Sequence, residues 1–292
     1  MASSLASSFS YCEKLARREA GNFYHAFRLL PRPERRAMCA LYAFMRVTDD
    51  LIDGPAPSAV KKTTLAAWRN QFESALAGQY HHAVHPALFH VLNHYHVPRG
   101  YIDAVLDGVE MDLCSTNYAT FAELYKYCYR VASAVGLACI HVWGASTDEA
   151  KAHAERAGIA FQLTNILRDL LEDARRNRIY LPAEDLERFG YSADQILAQD
   201  YNEPFRSLMR FEVERAHSYY LAAEPLAALL PAPGRAVFRV MHKTYRGVLE
   251  AIERRNYNVL HERVRVSGWR KLLLVAEALP TRYLGRSPAR YA

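Results

Sequence analysis

The chain has 292 residues, of which 51% are hydrophobic, enough to bury a sizeable core in one large domain or two small ones. Its 37 Lys and Arg exceed its 31 Asp and Glu by six, but they are scattered, and no block of five or more like charges resembles a nucleic-acid-binding tail. The basic excess is compatible with a phosphorylated substrate or an anionic membrane surface and does not choose between them.

Periodicity is helical almost throughout, with no convincing alternating strand. In chain order it predicts helices over 8–29, 33–52, 58–77, 86–94, 99–113, 120–143, 147–174, 193–198, 204–230 and 235–264, and a last one over 269–279. Pro33, Pro86 and Pro204 each fall in the first turn of a predicted helix, where a missing N–H costs nothing. Breaks are expected at Asp53-Gly54-Pro55, Gly78, Pro98, Pro182 and Pro231-Ala232-Pro233, none long enough for a flexible linker. The expectation is an all-α chain forming one domain over 1–292.

The helix over 33–52 ends in Arg46-Val-Thr-Asp49-Asp50-Leu-Ile-Asp53. Arg46, Asp49 and Asp53 lie at i, i+3 and i+7 and share a face. Carboxylates at a helix C-terminus oppose the macrodipole, and a bound divalent cation removes that conflict; a solvated helix end is the plain alternative. The helix over 147–174 carries Gln162, Asn165, Asp169 and Asp173 at i, i+3, i+7 and i+11, one polar stripe on an apolar helix. Buried amides and carboxylates are costly unless paired or metal-bound. Mg²⁺ takes oxygen ligands, typically one or two carboxylates completed by substrate phosphates. Arg168, Arg175, Arg176 and Arg178 either neutralise phosphate or simply pair with Glu172 and Asp173. Two DxxxD spacings, each beside an arginine on an apolar helix, favour metal-bridged diphosphate binding across a cavity. No Walker-type or GxGxxG loop supports a nucleotide alternative.

Other features point to ordinary structure. Cys12, Cys39, Cys114, Cys128 and Cys139 show no CxxC spacing and suit reduced thiols in a cytoplasmic protein. The first 21 residues hold no apolar leader segment, and the longest nearly apolar stretches, 131–143 and 271–279, fall short of the ~20 residues that span a bilayer. The chain therefore reads as soluble, or at most peripheral to a membrane. Of the histidines between His81 and His96, His90 and His94 are spaced for half a metal site, but no partner lies in register, so the stretch reads as surface. Trp68 and Trp143 read as core.

Four segments resemble the squalene and phytoene synthase family of head-to-head prenyl transferases. They are NFYHAFRLLPRPERRAMCALYAFMRVTDDLID, YCYRVASAVG, FQLTNILRDLLEDARRNRIYLP and YRGVLEAIERRNYNVLHERV, and the resemblance runs from about residue 10 to 275. It implies an isoprenoid-synthase helical bundle with a central cavity. It implies that Asp49 and Asp53 on one wall, with Asp169, Asp173 and Asn165 opposite, hold Mg²⁺, with Mn²⁺ as a substitute. Gln162, Arg46, Arg168, Tyr245 and Arg263 are implied to bind diphosphate. Tyr127 matches the motif tyrosine near the reacting carbons, where it assists proton removal or stabilises cations, and Phe23 and Phe27 are expected to line the cavity. Phe44 and Tyr42 are further aromatic candidates, each more simply core. One departure is Gly21-Asn22-Phe23, where the family often has serine before the phenylalanine.

The implied reaction ionises an allylic diphosphate, lets a second prenyl diphosphate attack the cation, and gives a cyclopropyl intermediate. Family members release it, rearrange it to phytoene, or reduce it with NADPH to squalene. Small features, including GVEMDL and YCYRVAS, favour a bacterial enzyme using farnesyl diphosphate to make presqualene diphosphate or squalene, with NADPH needed only for squalene. The alternative is a phytoene synthase acting on geranylgeranyl diphosphate. The alternative of another class is a non-catalytic relative serving as an assembly or binding protein. Beyond substrate, the expected partners include no nucleic acid, with peripheral membrane contact for product release.

Overall fold

Ser4 accepts a hydrogen bond from the Ser7 amide and so opens α1 (Leu5–Glu19), the first of fourteen α-helices among the residues that the computed structural model describes: 4–114, 117–264, 274, 277 and 278. There follow α2 (Asn22–Phe27), α3 (Arg32–Asp53), α4 (Ser58–Leu76), α5 (His85–His94), α6 (Arg99–Cys114) and α7 (Phe121–Cys128). A five-residue π segment (Tyr129–Ser133) joins α7 to α8 (Ala134–Val142). The chain continues with α9 (Asp148–Arg175), α10 (Ala183–Arg188), α11 (Ala193–Leu197), α12 (Glu203–Ala223), α13 (Leu226–Leu229) and α14 (Ala232–Arg254). No strand occurs among the described residues, only an isolated bridge between Asn117 and Ile179.

The differences from the predicted elements have local causes. The helix expected over 8–29 is broken at Gly21, whose φ of +50° suits a residue without Cβ. Pro225 divides the 204–230 segment, because it supplies no N–H to continue the ladder. The 235–264 segment ends at Arg254, and Asn256 and Tyr257 follow with φ of +51° and +66°. Pro182, read as a break, lies outside the helices as the N-cap of α10, a short helix that the periodicity did not predict. The helix expected over 269–279 lies almost wholly outside the described residues.

The core forms two buried clusters. One gathers around α1, α3, α5, α6 and α8 and includes Phe27, Phe44 and Trp68; the other gathers α7, α9, α12 and α14 around Leu163, Phe205 and Tyr220. Tyr129 and Phe161 pack against both. Trp68 and Trp143 are buried as expected, and the Trp68 indole donates to Thr48 at 2.9 Å. The histidine stretch departs from expectation: His81, His90, His94 and His96 are exposed, but His85 is fully buried against Trp68 and His82. Cys12, Cys39, Cys128 and Cys139 are buried free thiols.

The longest helix organises the rest. Thr147 caps α9, and Asp148 and Glu149 complement its dipole in the first turn. At mid-length, Gly158 lets α9 lie directly on the π segment: a Cβ there would stand 2.4 Å from Ser133 Cα. The Ser133 hydroxyl donates to the Glu155 carbonyl at 2.7 Å across the same contact. This close approach holds the α9 polar stripe beside α7 and the π segment and across from α3.

Candidate active site

Both predicted stripes face one cavity of about 320 Å³. From α3 come Asp49 and Asp53, and from α9 come Gln162, Asn165, Asp169 and Asp173, with Arg168 beside them. The helical period explains this convergence: residues at i, i+3, i+7 and i+11 keep one azimuth on α9, as i and i+4 do on α3. Tyr127 enters from α7 and is 3% exposed. The Asn165 amide donates to Gln162 at 3.3 Å, which orients both side chains along the stripe.

The cavity concentrates negative charge. Burial and neighbouring Asp53 push the Asp49 carboxyl up to about 7, and burial and neighbouring Asp169 push Asp173 up to about 7. Burial also acts on Asp169, but the Arg168 and Arg263 guanidiniums outweigh it and hold that carboxyl below its usual range. Four carboxylates and an amide form an all-oxygen donor set that suits a hard divalent cation, whose charge would relieve the repulsion. Among the described residues, no three acidic, His or Cys side chains are grouped so that they alone could hold a metal ion.

A second, mostly apolar slot of about 180 Å³ adjoins the first, and the two share Val131, Val135, Gln162 and Asn165. Phe23, Ala157, Phe161 and Met241 line it, with Trp143 among its walls. Tyr245 stands at the junction, stacked on Phe161 at 4.7 Å and hydrogen-bonded to the Asn165 side chain.

Three predicted residues fall elsewhere. Phe27 is 3% exposed in the first core cluster and lines neither space, because its face of α2 packs inward while Phe23 reaches the slot. Arg46 is paired with Asp50 one turn on and does not line the cavity, since its long side chain finds that i+4 acceptor first. Arg263 bridges Asp169 at 2.9 Å and Glu172 at 3.5 Å, facing a separate cleft of about 400 Å³ behind the end of α9.

Two polar lining residues, Asp112 and Tyr180, were absent from the predicted set, whereas Arg178 was expected either to neutralise phosphate or to pair with neighbouring carboxylates. Asp112 of α6 is on the same face as Val105 and Val109, the three lying at i, i+4 and i+7, and all three line the cavity. Arg178 and Tyr180 follow α9 in the RNRIYLP segment. Arg178 is a cation inside the cavity, with Asp112 and Asp53 among its electrostatic partners. A carboxylate at a core-facing position of an apolar helix was the available signal for Asp112.

Residues 16–270 match the model of the squalene/phytoene synthase family. The chain belongs to that family. It is 39% identical over 280 residues to a phytoene synthase of Arthrospira platensis, covering 91% of this chain and 90% of that one. It is 36% identical over 288 residues to a 15-cis-phytoene synthase of Synechococcus elongatus, covering 94% of each. Among solved structures, a dehydrosqualene synthase crystallised with a ligand is 28% identical, with a TM-score of 0.85 over 94% of this chain and 96% of that one. Like the rest of the family, the protein is a prenyltransferase of the head-to-head type with the helical isoprenoid-synthase fold. The expected preference for farnesyl diphosphate and a squalene-type product is not what these relatives favour; they favour the phytoene alternative. No helix among the described residues is long and apolar enough to cross a membrane.

Proposed function

We propose that the protein joins two molecules of geranylgeranyl diphosphate head to head and converts the cyclopropyl intermediate to phytoene, without NADPH. The observation that carries this reading is the junction of a carboxylate-lined cavity with an apolar slot, which share Gln162 and Asn165. A diphosphate bound at the first leaves its prenyl chain pointing into the second. The choice of phytoene rests on the phytoene synthases that match over nine-tenths of the chain.

Mg²⁺ is the cation proposed for Asp49, Asp53, Asp169, Asp173 and Asn165, and when bound it would supply Lewis-acid stabilisation of the leaving diphosphate. Arg168 and Arg178 add fixed positive charge for phosphate oxygens. The apolar slot keeps water from the allylic cation, so that the double bond of the second substrate captures it instead. The faces of Phe23, Phe161 and Tyr245 offer the cation electrostatic support. Tyr127 accepts or orients the proton lost as the ring closes.

The test is incubation of the purified protein with geranylgeranyl or farnesyl diphosphate and Mg²⁺, with and without NADPH. Phytoene from geranylgeranyl diphosphate without NADPH is expected. Dehydrosqualene or squalene made from farnesyl diphosphate in preference would overturn the chain-length assignment.

A further inference from the structure

The least explained group in the cavity is Asp112, a carboxylate on neither acidic stripe. It comes from α6 and accepts hydrogen bonds from two phenols: Tyr180 donates to Oδ1 at 2.9 Å and Tyr127 to Oδ2 at 3.2 Å. The two hydroxyls lie 3.3 Å apart, and their rings stack with centroids 5.1 Å apart. Tyr118 adds a third ring, tilted 39° to Tyr127 at 5.5 Å and stacked on Tyr180 at 6.2 Å, and Arg178 supplies the counter-charge.

A phenol has one proton to donate. With the Tyr127 proton directed at Asp112, the oxygen has only lone pairs left to present to the cavity it lines. Without Asp112, only the long 3.3 Å bond to the Tyr180 hydroxyl holds the Tyr127 proton, and the hydroxyl can turn it toward the reacting carbons, which is the wrong polarity for a cation. Resting on the proposed prenyl condensation, we infer that Asp112 is a positioning residue that makes Tyr127 an acceptor. In that role it determines whether the first cation closes to a cyclopropane. In the step, the C–H bond on the carbon 1,3 to the cationic centre breaks, and its electron pair forms the last ring bond between those two carbons. The proton goes to Tyr127 Oη while the phenol's own proton passes to the Asp112 carboxylate, and water takes it when product leaves. Tyr180 holds the second oxygen of Asp112 and keeps the carboxylate plane fixed.

The experiment compares Asp112→Asn, Tyr127→Phe and the double variant, measuring kcat, KM, released diphosphate and the share of prenyl alcohol formed by water capture. Asp112→Asn is expected to lower kcat for coupled product about 100-fold, with KM within about threefold, while diphosphate release continues and the alcohol share rises. Because both residues act through one bond, the double variant should be no more than about threefold worse than Tyr127→Phe alone. Losses that multiply overturn the inference, as does a rise in KM with an unchanged alcohol share. A raised Mg²⁺ requirement in Asp112→Asn would make it a metal ligand instead and overturn it too. If Asp112→Asn does not fold, Tyr180→Phe serves: the alcohol share should rise with kcat down about tenfold, and an unchanged share refutes the assignment. A wild-type protein that releases no diphosphate from any prenyl diphosphate overturns the proposed function itself; an active wild type with a fully active Asp112→Asn overturns only this inference.

Discussion

Gly158→Ala sets two opposed effects against each other on α9. Alanine in place of a mid-helix glycine gains about 1 kcal/mol of intrinsic helix propensity. The added Cβ, however, would stand 2.4 Å from Ser133 Cα, 2.5 Å from its nitrogen and 2.7 Å from its hydroxyl oxygen. Two of these neighbours are backbone, so no rotamer change relieves the clash. Restoring a van der Waals separation of about 3.5–4 Å requires the helix and the π segment to part by roughly 1 Å. Overpacking of this kind costs about 1–3 kcal/mol, and separation also stretches the 2.7 Å bond from Ser133 to Glu155, worth about 1 kcal/mol. The net expectation is a loss of about 1–3 kcal/mol, so the steric term wins. The same shift displaces Gln162 and Asn165, one turn and two turns further along α9, from Val131 on the π segment. A misplacement of that size costs roughly 100-fold in turnover. Thermal unfolding by circular dichroism and a diphosphate-release assay read both consequences. A variant that melts at or above the wild-type temperature and keeps full activity refutes the reasoning.

Asp169→Ala should lower turnover roughly 1,000-fold or more through loss of a metal ligand, with the helical circular dichroism spectrum retained; unfolding of the variant would point to its ion pairs with Arg168 and Arg263 as structural instead. His85 has no hydrogen-bond partner for either ring nitrogen among the described residues, and burial lowers its pKa to about 4. Between about pH 6.5 and 4 the unfolded chain therefore binds a proton that the folded chain refuses, so stability falls with falling pH by about 3 kcal/mol in total. His85→Leu should flatten that part of the pH–stability curve, and an unchanged slope would sink the idea. Ala157→Phe should fill the apolar slot and shift preference from geranylgeranyl toward farnesyl diphosphate, read as the ratio of kcat/KM for the two; an unchanged ratio would mean that chain length is measured elsewhere.

Several features were available before any fold was known, because they depend only on the local helical repeat. The polar stripe from Gln162 to Asp173 and the Asp49–Asp53 pair each lie along one helix face whatever surrounds them, and all six side chains line the cavity. Tyr127 was reached by resemblance to a motif, since an aromatic at helical spacing looks the same whether it is core or site. The breaks at Gly21 and Pro225 were misjudged although both residues were in view, because hydrophobic periodicity carried on across them.

The placement of single residues depended on what each helix packs against. Phe23 and Phe27 are four apart on one short helix, yet one lines the slot and the other is core, since the first core cluster closes over only the second. His85 differs from its exposed neighbours because its turn of α5 sits under Trp68. Asp112, Tyr127 and Tyr180 are separated by 15 and 53 residues, and no local repeat relates them. The amino-acid sequence by itself determined the helical class and the two carboxylate faces, since both follow from a period of 3.6 residues. Only the tertiary structure decided that those faces enclose one cavity, that the cavity opens into an apolar slot, and that a fifth carboxylate holds two phenols there. Each of these needs the meeting of distant segments, brought about by close packing such as that of Gly158 on Ser133.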